Sequence, residues 1–382
     1  MGEIKVKQFG KGFAALLTAL LLAISVTAGA SDIAVDISVD ESWLDASEDV
    51  FVHVSFTNLG TKPAKLLKWY TAADGIDENL FKVSRDGAAL PYLGAHYKRP
   101  PPVIGDYLVL KAGETVTQVA ELSGAYDFSK SGDYSVQFRV ASLTLFDPAA
   151  AHRNDPGAAK VESLESNEVS LWVQGRATDG SDASAAIRGK SDKNGGNRGG
   201  GKPGGDPPTV GRLTFTGGCT NTQQQGIIDA VAAAEVISQD AVAYLGKGQQ
   251  QQGSRYTTWF GTVTSSRYNT VKDNFSAIYA AMSTEDITVD CKCKQNYYAY
   301  VYPNDPYKIY VCKVFWQAPL LGTDSKAGTL VHEMSHFRVV ADTDDVVYGQ
   351  TGARNLASSN PDAAITNADS HEYFAENTPF QN

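Results

Sequence analysis

From Ser31 to about Gly175 the chain alternates apolar and polar residues with period two, most clearly in IAVDISVD, VFVHVSFTN, YSVQFRVAS and EVSLWVQG. Alternation places every second side chain on one face, so each run predicts a half-buried strand. Turn sequences such as NLGTKP and KSGD separate the runs. Short strands with this punctuation predict an all-β, immunoglobulin-like antiparallel sandwich over residues 31–175. After Leu213 the period changes. QQQGIIDAVAAAEVISQDAVAYL carries Ile227, Val231, Ala234 and Ile237 at helical spacing, and YNTVKDNFSAIYAAM follows the same rule. YYAYVYP and KIYVCKVFW predict a pair of strands. The segment TLVHEMSHF begins a helix that Thr323, Asp324 or Ser325 can cap. GQTGARNLA and PDAAITNADSHEYFAEN predict two more short helices, the second with Pro361 in its first turn. Residues 213–382 therefore read as a mainly helical α+β domain with a small sheet.

Between the two patterned regions the residues change character. GKSDKNGGNRGGGKPGGDPPT has no aromatic residue and too little apolar surface to fold, so residues 176–212 predict a flexible linker open to proteolysis. The expected cuts precede Lys190, Lys193 or Lys202, with trimming to near Leu213 or Thr214.

Length supports two domains: 382 residues exceed one typical core and suffice for two. Lys5, Lys7 and Lys11 precede the apolar run Phe13 to Val26, which ends in Ala28-Gly29-Ala30. That arrangement predicts a secretory signal at 1–30 cleaved after Ala30, because the run is too short to span a bilayer. A formal charge of −10 argues against nucleic acid or an anionic membrane as partner. The expected product is exported, with no membrane attachment after cleavage, and monomeric. Export favours disulfides among Cys219, Cys291, Cys293 and Cys312. Cys291 and Cys293 do not have zinc-ligand spacing, and strand neighbours in C-x-C point to opposite faces, so they should bridge to different partners. His53, His96 and His152 share no spacing and read as structural or exposed.

The chemistry concentrates in His332-Glu333-Met334-Ser335-His336. Histidines four apart share one face of a helix and can both reach one zinc ion, and Glu333 can act as general base toward water at that ion. A catalytic zinc needs a third protein ligand. Asp342, Asp345, His371 and Glu372 compete. Asp342 falls where an H-E-x-x-H-x-x-G-x-x-H site would place its ligand, but Val339 occupies the glycine position and is a poor residue for the required turn. Residue pattern leaves Asp345 and Glu372 close. Asp369 and Glu372, three apart on the last helix, present two carboxylates on one face.

Residues from about Thr214 to Asn382 resemble the deuterolysin-like metallopeptidases called aspzincins, most closely the peptidyl-Lys metalloendopeptidases. RYTTWFG, YAYVYPN, GTDSKAGTLVHEMSHF, YGQ and NADSHEYFAEN carry the likeness. The resemblance implies a zincin-like fold and one catalytic Zn2+. It implies that the third ligand is Asp345 of DTDD, with Asp342 standing where the family usually has glycine. It further implies that Tyr348 donates its hydroxyl to the oxyanion, and that Asp369 and Glu372 line a primed-side lysine pocket. The cystines it implies are Cys219 with Cys291 and Cys293 with Cys312. The expected function is that of a secreted zinc endopeptidase hydrolysing peptide bonds on the amino side of lysine in proteins and peptides, made with the sandwich as its own propeptide. A broad neutral protease is the nearest alternative, and a surface-binding protein with a vestigial zinc site is a more distant one.

Overall fold

The computed structural model describes residues 32–73, 75–152, 161–175 and 209–382. The expected leader at 1–30 and residues 176–208 of the expected linker, with its three candidate lysines, lie outside the described residues. In the N-terminal part a three-stranded sheet (Ile33–Ser38, Phe51–Asn58, Thr115–Glu121) faces a five-stranded sheet built on the long antiparallel pair Gly132–Ser142 and Glu162–Val173. The period-two pattern explains the packing directly. In Phe51–Asn58 the side chains of Val52, Val54, Phe56 and Asn58 are buried while their neighbours face outward. Phe56 meets Phe138 of the opposite sheet edge-on at 5.5 Å, within an apolar core that both sheets share. Burying each such side chain is worth about 1.5–3 kcal/mol, and this inward row fixes the register.

Among the described residues the C-terminal part has eight α-helices. They are α1 (Asn221–Leu245), α2 (Ser254–Phe260), α3 (Ser265–Thr284), α4 (Lys313–Gln317), α5 (Lys326–His336), α6 (Gly349–Ser359), α7 (Pro361–Ala364) and α8 (Ala368–Glu376). Of the face predicted for α1, Ile227, Val231 and Ala234 share a core with Phe275, Ile278, Leu330, Met334 and Phe374, and Ile237 is partly buried against it. Two local expectations change. KVFWQ forms α4, which starts after Cys312, rather than extending a strand. The final helical segment splits into α7 and α8, with an extended backbone at Asn367, whose side chain holds a loop described below. No helix among the described residues is long and apolar enough to cross a membrane.

Disulfides join Cys219 to Cys291 and Cys293 to Cys312, so the two C-x-C neighbours do bridge to different partners. The adjacent sheet runs Thr209–Val210, Leu213–Thr216, Ile287–Asp290, Lys308–Val311, Ala299–Val301 and His96–Lys98. It begins at Thr209, inside the segment read from composition as linker. Its outermost strand comes from the N-terminal part: His96–Lys98 pairs antiparallel with Ala299–Val301, Tyr97 opposite Tyr300. The two parts also share a small apolar cluster in which Leu143 and Ala150 meet Val347, Leu356, Ala357 and Ala364.

Candidate active site

α5 is anchored at its start. Ser325 caps it by accepting from the Gly328 amide at 2.9 Å, and the Ser325 amide and hydroxyl each donate to Glu376 of α8 at 2.8 Å. Every residue from Ala327 to His336 is buried. His332 and His336 lie one turn apart on the face toward the loop Asp342–Tyr348. The Nδ1 of His336 donates to the Thr343 carbonyl at 2.8 Å, and the Nδ1 of His332 lies 2.8 Å from Asp369 Oδ1. A ring that gives its Nδ1 proton away keeps a lone pair on Nε2. Both Nε2 atoms face Asp345, at 3.1 Å from Oδ1 for His332 and 3.5 Å from Oδ2 for His336.

The loop that brings Asp345 there turns at Asp342, whose φ of 47° is left-handed. Glycine has no penalty in that conformation, and aspartate is among the few other residues that tolerate it. Asn367 fixes the far side of the turn by accepting from the Val346 and Val347 amides at 3.1 and 3.0 Å. Burial alone would raise the acid of Asp345, yet the His336 and His332 imidazoles hold it well below the usual carboxylate range. Burial opposes protonation of His332 and His336 as well, and Asp345 outweighs it, raising both.

Seven polar atoms tell what the cluster lacks. His332 Nε2, His336 Nε2, both oxygens of Asp345 and both of Glu333 are buried without a hydrogen-bond partner, as is Glu372 Oε1. An unsatisfied buried polar group costs about 1–3 kcal/mol. Two imidazole nitrogens and a carboxylate converging on one point, with a free carboxylate beside them, fit a zinc ion with one position left open. Burial pushes the Glu333 acid up to about 7 against the pull of both imidazoles.

Beside this centre Tyr348 is buried, its hydroxyl 2.9 Å from the Tyr97 carbonyl and 3.1 Å from Glu78 Oε1. Past it lies an acidic pocket that holds Lys98. The Lys98 ammonium sits 2.6 Å from Glu372 Oε2, 3.2 Å from Asp324 Oδ1 and 3.5 Å from Asp369 Oδ1, with its side chain 1% exposed. It also lies over the Tyr298 ring at 4.8 Å. Burial would strip the ammonium of its proton, but Asp369, Glu372 and Asp324 hold it well above the ordinary lysine range. Asp369 thus faces two ways, toward Lys98 and toward the Nδ1 of His332, and it accepts from the Gly349 amide at 2.6 Å as well.

A family profile described as Lysine-specific metallo-endopeptidase, the aspzincins, matches residues 245–376. The extracellular protease of Aeromonas hydrophila is 45% identical over 338 residues, covering 88% of this chain and 90% of that protein. The chain belongs to the aspzincin family. The peptidyl-Lys metalloendopeptidase of Armillaria mellea is 33% identical to this aspzincin over 375 residues, 96% of this chain and 97% of that one. The solved structure of a zinc peptidase from Grifola frondosa is 42% identical over 43% of this chain and 100% of its own, with a TM-score of 0.41.

Of the residues singled out in this aspzincin's sequence, His332, Glu333, His336, Asp345 and Tyr348 are brought together, and Asp369 and Glu372 form the neighbouring pocket. The remaining contenders for third ligand stand elsewhere. Asp342 is exposed, 3.8 Å from Arg338. His371 is turned into the core between Phe260 and Phe275, hydrogen-bonded to the Asn367 carbonyl at 2.9 Å and Asn274 at 3.0 Å, and burial lowers it to about 4. Glu372 is on the Nδ1 side of His332, away from Asp345. Of the two readings open for His96, structural or exposed, the fold excludes the second: it is buried, its ring 4.7 Å from that of His336. Lys98 and Asp324 were also missed as site residues. Asp324 resembles a helix cap in sequence, but at φ 52° it bends off the helix start and turns its carboxylate to Lys98 and to the Tyr373 hydroxyl at 2.7 Å.

Proposed function

We propose that the chain is the precursor of a secreted zinc endopeptidase that cuts on the amino side of lysine. One observation carries the reading: a lysine ammonium rests among Glu372, Asp324 and Asp369 while the carbonyl just before that lysine meets Tyr348. That is the arrangement required if the residue after the broken bond is lysine. A zinc ion held by His332, His336 and Asp345 supplies a Lewis acid and an activated water when bound. Glu333 takes the proton from the attacking water and passes it to the departing amine. Tyr348 donates to the carbonyl oxygen as negative charge grows there, in a site closed to bulk water. Asp369 and Glu372 hold the ammonium, and Asp369 keeps the His332 ring in the tautomer that leaves Nε2 free. The names of the Armillaria and Aeromonas relatives support lysine specificity and an extracellular location.

Two peptides differing only in lysine or norleucine after the scissile bond test this reading. Norleucine keeps the stem and loses the charge, so it leaves the pocket acids unpaired, and kcat/KM should fall at least about 100-fold. Equal rates would favour the broad neutral protease. Arginine should also be cut poorly, since its longer planar head does not match a pocket closed around a compact ammonium.

The precursor reading treats residues 1–30 as a leader and 31–175 as an immunoglobulin-like propeptide. It places maturation in the linker 176–212, before Lys190, Lys193 or Lys202, with trimming toward Leu213. The linker's composition and the export signal motivate it. Sequencing the N-terminus of the active form should give a start within or just after the linker; an active form beginning at Ser31 would contradict it.

A further inference from the structure

The strand His96–Lys98 is built like a bound peptide. It adds antiparallel to the outer edge of Ala299–Val301, and the Tyr298 amide donates to the Lys98 carbonyl at 2.9 Å. Extended peptides bind free sheet edges in this way, backbone pairing giving affinity and alternate side chains giving specificity. His96 and Lys98 fall on the same face of the strand and are both buried, while Tyr97 packs against Tyr297 and Tyr300. Lys98 reaches the acidic pocket and the Tyr97 carbonyl reaches Tyr348. His96 offers a ring nitrogen within 4.8 Å of ligating atoms of both His336 and Asp345. The next residue fixes the register: Arg99 pairs with Glu78 at 3.0 Å, and its guanidinium lies over the rings of Tyr297, Tyr97 and Trp69 at 4.6, 4.9 and 5.0 Å.

We propose that His96-Tyr97-Lys98 is an intramolecular pseudosubstrate, in which Lys98 fills the lysine pocket, Tyr97 occupies the oxyanion donor and His96 joins the metal's donor set, keeping the precursor latent until the strand is withdrawn. The proposal rests on the reading of Asp369 and Glu372 as a lysine subsite. Three protein ligands leave a catalytic zinc one open position, and the imidazole of His96, as a fourth ligand, closes it. Tethering does the rest, because a strand held beside its site competes at an effective concentration that a free substrate rarely matches.

The test uses the full-length Glu333→Gln precursor, which keeps both parts joined, and a fluorescent peptide with one central lysine. Free-peptide affinity falls by the fraction of molecules whose site is open. Lys98→Gln, and Lys98→Met as a second variant that keeps the stem length, should bind the peptide at least about 100-fold more tightly than the parent. Equal binding by parent and variants overturns the latch. Failure of all to bind overturns the lysine-subsite reading itself, and the latch with it. The parent alone supplies a further readout: reductive methylation should spare Lys98 while modifying exposed lysines, and modification of Lys98 at the rate of exposed lysines contradicts its burial. For His96, the cobalt(II)-loaded precursor and its His96→Ala variant should differ in visible absorption, reflecting a lost nitrogen ligand. Identical spectra would remove His96 from the donor set.

Discussion

Glu333→Gln should lower kcat/KM toward lysine peptides by about 1,000-fold while leaving the bound metal in place. A positioned general base contributes about 100- to 10,000-fold, and glutamine keeps the size of the side chain without accepting a proton. Glu333 shares its burial with His332 and His336 but is not among the groups converging with Asp345, so its loss need not release the ion. The pH profile carries the same signature. Glu333 works ionised, and burial raises its acid to about 7, so activity is present above that range and lost as pH falls through it. A divalent cation nearby pulls the limb down, toward the ordinary glutamate value of about 4.3. The wild type should therefore show an acid limb between these values, and the variant's residual activity should not. Metal analysis together with pH–rate profiles of both proteins checks this; unchanged activity would remove Glu333 from the mechanism.

The second large effect concerns the pocket. Glu372→Gln should cut kcat/KM for a lysine peptide by two to three orders of magnitude while leaving a norleucine peptide unchanged or better cleaved. Breaking a buried ion pair by removing one partner costs about 3–5 kcal/mol, at about 1.4 kcal/mol per tenfold. Glu372 makes the shortest contact with the ammonium, 2.6 Å, and its side chain is fully buried. Asp369→Asn should behave differently because Asp369 also faces the His332 Nδ1 at 2.8 Å. Disturbing such a partner typically weakens metal binding by about 10- to 100-fold, so this variant should lose zinc affinity as well as lysine preference. Steady-state kinetics with both peptides and competition with a zinc chelator separate the two variants. Parallel losses on lysine and norleucine peptides would show that Glu372 does not read the charge.

How much of this was legible depended on distance along the chain. His332 and His336 lie one turn apart, and local periodicity is enough to place them on one face. Asp345 and Glu372 were not separable by pattern, since the outcome turns on the conformation of a loop and the rotation of α8. The left-handed turn at Asp342 and the anchoring of the loop by Asn367 decide it, and both are tertiary. The strand His96–Lys98 was illegible for a stronger reason. It pairs with residues about 200 positions away, and nothing in AHYKRP distinguishes it from any polar loop of the sandwich. Asp324 was visible as an acid before a helix, and helix capping was the simpler local account of it.

The central claim is that a metal at His332, His336 and Asp345 drives hydrolysis before lysine. It is tested most directly by digesting an unbiased peptide library with the activated enzyme, before and after metal removal, and reading every cleavage position by mass spectrometry. The account predicts cuts concentrated on the amino side of lysine, abolished by a chelator and restored by zinc. Cuts that persist without metal, or that fall with no regard to lysine, would contradict it.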